Sequence, residues 1–382
     1  MKRAIAALAA IGALTTAGAA VAAPAPAPAK MLDCPLRDAP FSTRSPMIDI
    51  LLSPAASAAV DAKVPGLIAK LPTRMFSTKA PTFASILSVK EAAGMGARFG
   101  NGKMPDLGGL DEALAKVPVT DADRVARCAR YDDERPDLAL PAGKPRILLF
   151  EKMTGFRDGP SVEAAHAAFL DMAKQKGWAM VATDKGGAIT PATLAKFDVL
   201  IWNNVSGDVL TLTQRKALKE YVEKGGGFFA VHGSGGDPVY FWDWYVDYLI
   251  GARFVGHPIA KQFQPARVVV EGTAHPAAKG LPAEWTMTDE WYSFAASPRL
   301  TGAKVVAKLD ESTYEPQGMG TQNLRMGDHP IAWSRCVGKG RSFYSAIGHR
   351  PEVYSEPHVR LLMENAIGWA ANKASCPAPA SR

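Results

Sequence analysis

From residue 147 onward the chain alternates short apolar runs with segments of helical period. Residues 147–150, 178–183, 199–202 and 228–231 are uninterrupted apolar or near-apolar stretches, which suits strands buried on both faces. Between them, 161–176, 190–196 and 213–224 carry apolar residues at helical spacing, with Ser161 and Thr213 in capping positions. Strands that alternate with helices in this way predict a parallel, doubly wound α/β sheet. Later come an aromatic-rich helix at 241–250, strand-like runs at 266–271 and 304–309, and a final helix at 358–371. Residues 330–336 and 341–347 read as a hairpin joined by Val337, Gly338, Lys339 and Gly340.

The earlier part of the chain differs. Residues 24–140 form a proline- and alanine-rich leader followed by a small helical extension, with helix starts at 48–52 and 54–64 and further helices at 110–117 and 121–131. The glycine-rich stretch 94–109 reads as a loop. A proline-rich boundary precedes the α/β domain, placed at 144–373, and a tail at 374–382 follows it.

Residues 1–23 have the parts of a secretory signal peptide: Lys2 and Arg3, an apolar run, and small residues around Ala22. Thr15, Thr16 and Gly18 break the run, so a cleaved peptide, a periplasmic or secreted protein and no membrane span in the mature chain are expected. The four cysteines fit that compartment as two disulfides, Cys34 with Cys128 and Cys336 with Cys376 being the favoured pairing. A formal charge of +7 over 382 residues, without a long basic run, gives no reason to expect a nucleic-acid partner.

Polar residues gather just after the strands. Arg157 and Asp158 follow the first, Asn203 and Asn204 the third, His232 the fourth, and His349 the last. In a wound sheet such turns line one crevice, where ligands bind. The run from Gly225 to Asp237 sets His232 between a buried strand and a glycine-rich turn that lets the backbone approach a ligand closely. His257 and His329, each before a proline, and the pair Asp289 and Glu290 beside Trp291 and Tyr292 extend the set, together with Asp328. His166 and His275 are taken as structural or surface residues. Trp242, Trp244, Tyr245, Trp291 and Tyr292 offer flat apolar faces for a sugar ring or for the core.

Residues 152–158, 225–232, 288–294, 328–333 and 348–357 together resemble the ThuA-like (trehalose-utilisation) family, in order and over about 144–371. The resemblance implies a class I glutamine amidotransferase-like fold, a flavodoxin-like three-layer sandwich with a mostly parallel sheet. It sets His232 where amidotransferases carry their nucleophilic cysteine and makes His349 similar to their catalytic histidine. Without a cysteine at that elbow, glutaminase activity is not expected. Asp158 stands where the family usually has histidine.

The function implied is carbohydrate metabolism. The leading expectation is an exported enzyme using histidine–carboxylate acid–base chemistry on a disaccharide or keto-sugar. His232 and His349 are the acid–base pair, with Glu290 or Asp328 as partner. Asn203, Asn204, Arg157, Asp158, Asp237, Trp291 and Tyr292 would bind the sugar. In a metal-assisted variant His257 and His329 join a histidine–carboxylate set holding a divalent ion such as Zn²⁺. The rivals are a non-catalytic sugar-binding protein and a metal-dependent hydrolase of a non-sugar substrate.

Overall fold

The computed structural model describes residues 31–73, 75–99, 103–374 and 376. The expected signal peptide, and Pro24, Pro26 and Pro28 of the leader, lie outside the described residues.

The amino-terminal segment carries five helices: α1 (Met47–Leu51), α2 (Pro54–Lys63), α3 (Val89–Phe99), α4 (Leu110–Ala115) and α5 (Asp121–Cys128). They enclose a core of their own that includes Phe41, Met47, Ile50, Val60, Leu87 and Leu114. Helix α3 occupies the start of the stretch expected as a loop. Ser88 hydrogen-bonds the Glu91 carboxylate and accepts from the Glu91 N–H, closing the first turn, and buried Ala92 and Ala93 outweigh the cost of Gly94 and Gly96.

The rest of the chain forms a mixed α/β fold around a nine-stranded sheet. Its strands are β1 (Arg146–Phe150), β2 (Ala179–Thr183), β3 (Val199–Asn203), β4 (Gly227–Val231), β6 (Phe263–Val270), β7 (Glu284–Glu290), β9 (Lys304–Asp310), β10 (Pro330–Val337) and β11 (Gly340–Ser345). Two short strands, β5 (Phe254–Gly256) and β8 (Ser293–Phe294), pair separately. The order across the large sheet is β2-β1-β3-β4-β11-β10-β9-β6-β7. From β2 to β11 every pairing is parallel, as expected, and β3 and β4 are buried at every position. From β11 to β7 every pairing is antiparallel, beginning with the expected hairpin, and β6 and β7 alternate buried and exposed residues because one face meets solvent.

Helices α6 (Gly159–Lys176), α7 (Pro191–Leu194), α8 (Leu212–Glu223) and α9 (Pro357–Ala370) complete the domain. The residue that caps α6 is Asp158, not Ser161, which falls inside the first turn. Thr211 rather than Thr213 caps α8 in a reciprocal pair with Gln214, because Thr213 bonds Asp33 of the amino-terminal segment. The aromatic run shortens to a π-helical turn, Trp244–Ile250, whose Trp244 and Tyr245 pack with Trp242. No described helix is long and apolar enough to cross a membrane.

Four successive reversals between β11 and β7 return β7 to the same direction as β4, so its carboxyl end faces the same rim. In a flat sheet four strand steps would separate β7 from β11 by about 19 Å. Yet the backbone N–H of Gly348, three residues beyond β11, donates to Asp289 on β7 at 2.7 Å. The antiparallel half therefore curls over the rim of the parallel half.

The amino-terminal segment is fixed to this domain at several points. Leu212 N–H donates to the Asp33 carbonyl, Tyr131 Oη to Asp208, and Gly186 and Gly187 N–H to Asp132. Both disulfides pair as the cysteine pattern favoured, Cys34 with Cys128 and Cys336 with Cys376. Asp237 ties the two neighbouring loops after β3 and β4 by accepting from Ser206 Oγ at 2.5 Å and Gly207 N–H at 2.7 Å. Both of its oxygens take part in these ties.

Two predictions follow from these ties. The Cys34–Cys128 bridge closes a span of 94 residues, so Cys34→Ser/Cys128→Ser should lose about 4 kcal/mol of stability in a urea melt. Burial pushes the Asp237 carboxyl from 3.8 up to about 7, against the pull of Ser206 and Gly207. Between those values the folded chain holds a proton that the unfolded chain has released, so this contribution is complete below pH 4 and fades as pH rises toward 7. Asp237→Asn should therefore gain stability relative to wild type as pH rises over that window, measured by thermal melts at half-unit steps.

Candidate functional site

His232 directly follows β4 with a backbone φ of +39°, a left-handed conformation that is unfavourable for a side-chain-bearing residue. Its surroundings fix it there. Tyr344 Oη donates to the His232 carbonyl at 2.8 Å, and the Tyr292 ring stacks on the imidazole with centroids 4.1 Å apart. Nδ1 lies 2.7 Å from the Ala346 carbonyl, which can only accept. Nδ1 therefore carries a hydrogen, and Nε2 points to the rim.

His349 sits in the loop after β11. The carboxylate of Asp289, with no solvent exposure, accepts from the N–H groups of Gly348, His349 and Arg350 at 2.7, 3.2 and 3.0 Å, holding the whole turn. Burial pushes the Asp289 carboxyl above its usual range, opposed by His232 and these N–H groups. Gly348 has φ +148°, and a Cβ there would come within 3.0 Å of the His232 Cβ, so only glycine lets the two histidine loops pack this closely. Ser161, bonded to Asp158, also bonds the His349 carbonyl.

Glu290, the last residue of β7, joins the two rings. Its Oε2 is 3.0 Å from His349 Nδ1 and 3.4 Å from His232 Nε2, and the two nitrogens are 3.2 Å apart. The other oxygen receives Gln262 Nε2 at 2.5 Å and lies 3.2 Å from His257 Nδ1. Burial opposes ionisation of Glu290, which is only 2% exposed, yet its hydrogen bonds to His232 and His349 and the charge of His257 hold its carboxyl well below the usual range. His349 moves the other way: burial lowers its pKa, but the hydrogen bond and charge of Glu290 outweigh this and raise it. The carboxylate thus favours its ionised form and the neighbouring imidazole its protonated one. His232, Glu290 and His349 also offer three ligand atoms within 4.8 Å of one another, a set that could hold a metal ion.

The remaining expected residues are placed as follows. Asn203 donates to Glu151 and to the Val162 carbonyl, and Asn204 donates to Asn203 and Tyr354 while accepting from Gly233 N–H. Both amides are buried scaffold, because the strand end they occupy is roofed by neighbouring loops. Asp158 caps α6, and Arg157 faces Glu163 on the surface. Asp328 is held by Ser297 and Arg299, away from the histidine pair. His329 is fully buried, with Nδ1 on Glu311 and Nε2 on the Tyr292 carbonyl, so neither nitrogen remains for a metal. Trp291 is a core residue whose Nε1 donates to the Gln264 carbonyl, whereas Tyr292 reaches the cavity. His257 reaches it too, with Nδ1 also 2.8 Å from the Pro258 carbonyl.

A cavity of about 630 Å³ opens over Glu290 and His349. Its floor includes His257, Gln262 and Tyr292, and part of its wall comes from the amino-terminal segment. Two contributors to the carboxylate's setting differ in how they show in the sequence: Gln262 is not among the expected residues, whereas Asp289 is expected in the polar set without its scaffold role. Gln262 lies in an unpatterned loop with no signal. Asp289 could have been found as scaffold from the alternation Trp285, Met287, Asp289, which marks the inward face of β7.

The family model described as "ThuA: Trehalose utilisation" matches residues 146–370. No curated protein matches the chain. Among solved structures, a ThuA-like protein from Bacteroides uniformis is 26% identical with a TM-score of 0.52, over 63% of this chain and 97% of its own. Another, from Parabacteroides merdae, is 14% identical with a TM-score of 0.42, over 62% and 93%. The match spans the strands, loops and histidine–carboxylate group just described, and the chain belongs to the ThuA (trehalose utilisation) family.

Proposed function

We propose that this protein is an exported enzyme in which His232, Glu290 and His349 bind a divalent cation such as Zn²⁺, and that it acts on a keto-sugar or a glycoside of one. The observation that carries the reading is the triangle of Nε2, Oε2 and Nδ1, with sides of 3.0, 3.2 and 3.4 Å. Ligands bound tetrahedrally to zinc at about 2.0–2.1 Å are spaced about 3.3 Å apart, so the side chains need little movement to close on an ion. His232 also gives its Nδ1–H to a backbone carbonyl, the outer contact that fixes the ring of a metal-binding histidine. A bound cation would polarise a substrate carbonyl.

The protein's own groups supply the proton chemistry. His257, on the far oxygen of Glu290, is placed at the cavity floor to move a proton next to such a carbonyl. The sugar assignment draws on the family's description and on the polar floor. We read the parallel order β2-β1-β3-β4-β11 as flavodoxin-like, and residues 31–140 as a helical extension of that domain.

His349 must give up the proton it shares with Glu290 before it can bind a metal. Below the raised pKa of His349, titration of the metal-free protein with Zn²⁺ should release about one proton, and affinity should climb about tenfold per pH unit until that pKa is passed, then level off. Calorimetry in buffers of different ionisation enthalpy reads both. His232→Ala and His349→Ala should each weaken Zn²⁺ by at least about 100-fold. A wild type that takes up neither Zn²⁺, Mn²⁺ nor Co²⁺ would rule out the metal. In a screen of 3-keto-disaccharides, chelator should abolish turnover, and His257→Ala should lower kcat by about 100-fold or more with the metal still bound. Binding without turnover on every sugar tried would favour a non-catalytic binder.

A further inference from the structure

The amino-terminal segment lies outside the family match, yet it forms part of the cavity. Phe83, Ile86, Leu87 and Met95 line the cavity with the floor residues Glu290 and His349. Their position is fixed. Thr82 N–H donates to the Thr154 carbonyl at 3.0 Å, and the Phe83 ring packs on Phe156 at 5.1 Å, which in turn stacks toward the His349 imidazole at 6.5 Å. Gly155 is pressed against Ile86 so closely that an added Cβ would lie 2.5 Å from Ile86 Cγ2.

The wall is chemically one-sided. Its one carboxylate on the cavity, Glu91, is engaged by the Ser88 hydroxyl within the first turn of α3. From the domain, Phe254, Ile259 and Met319 continue the apolar lining. A second sugar ring laid there would lose water from hydroxyls all round its edge and find few partners beyond Glu91 and Gln322, which is costly. An apolar group in the same place gains from leaving water. About 630 Å³ holds one sugar ring and a group of phenyl size.

We propose that the amino-terminal segment is the specificity wall of this site, and that it selects substrates carrying a rigid apolar group beside the oxygenated ring, an aryl-type glycoside in preference to a free disaccharide. The inference rests on the sugar-directed reading of the floor. Met95, partly buried on α3, and Phe83, half-buried before it, are the specificity-determining residues.

The test is binding of phenyl and methyl 3-keto-β-D-glucopyranosides and of phenol to the full chain by calorimetry, with thermal melts as a folding control. The phenyl glycoside should bind the wild type at least about tenfold more tightly than the methyl glycoside. Met95→Glu and Phe83→Ser should each bring the two within about twofold by weakening only the phenyl compound. Equal affinities in the wild type, or a preference that survives both substitutions, overturn the wall while leaving the sugar reading intact. Binding of phenol alone, lost in Met95→Glu, with neither glycoside bound, supports the wall and overturns the sugar reading. Absence of binding by all three overturns both.

Discussion

A buried carboxylate without compensation is among the costliest groups a fold can hold, and Glu290 is nearly sealed from water. Three imidazoles and an amide surround it, delivered by three loops, with His257 and Gln262 sharing the one between β5 and β6. Most of the local architecture serves that meeting. The antiparallel half curls so that the end of β7 reaches the ends of β4 and β11. Asp289, adjacent in sequence, holds the His349 loop by its backbone, so the residue next to the carboxylate positions the imidazole that neutralises it.

Behind the rings lies a continuous layer of satisfied polar groups. Asn204 connects the loop after β3 to Gly233 and to Tyr354, and Tyr354 Oη donates to the Gly348 carbonyl. His329 bonds the carbonyl of Tyr292, whose ring stacks on His232. A network without loose ends resists rearrangement, because any shift leaves a buried donor or acceptor unpaired. That explains how His232 is kept at an unfavourable φ.

His232 and His349 were visible in the sequence because each directly follows an apolar strand, and a parallel sheet brings such positions to one rim. The partner carboxylate was visible as a candidate, but β7 was not, since Glu284, Thr286 and Thr288 on its outer face and Asp289 on its inner face leave only two apolar side chains in the run. Asn203, Asn204, Asp158 and Asp237 occupy equally suggestive places and bond neighbouring loops, strands and a helix end. Composition does not distinguish a polar residue that faces a ligand from one that caps a helix or ties a loop. Only the roofing loops decide it, and their path depends on long-range packing. The same reason hid the role of Phe83 and Met95: residues far from the domain in sequence show no periodicity that records which surface they will cover.

The cavity's reactive group and one of its apolar walls come from separate stretches of the chain. The ring pair and its carboxylate fall inside residues 146–370, and the apolar roof comes before them. Point changes in the roof can thus accumulate without touching a single atom of the histidine–carboxylate triangle. What the cavity accepts and how it reacts are thus written in different parts of the chain, and the first can be altered without disturbing the second.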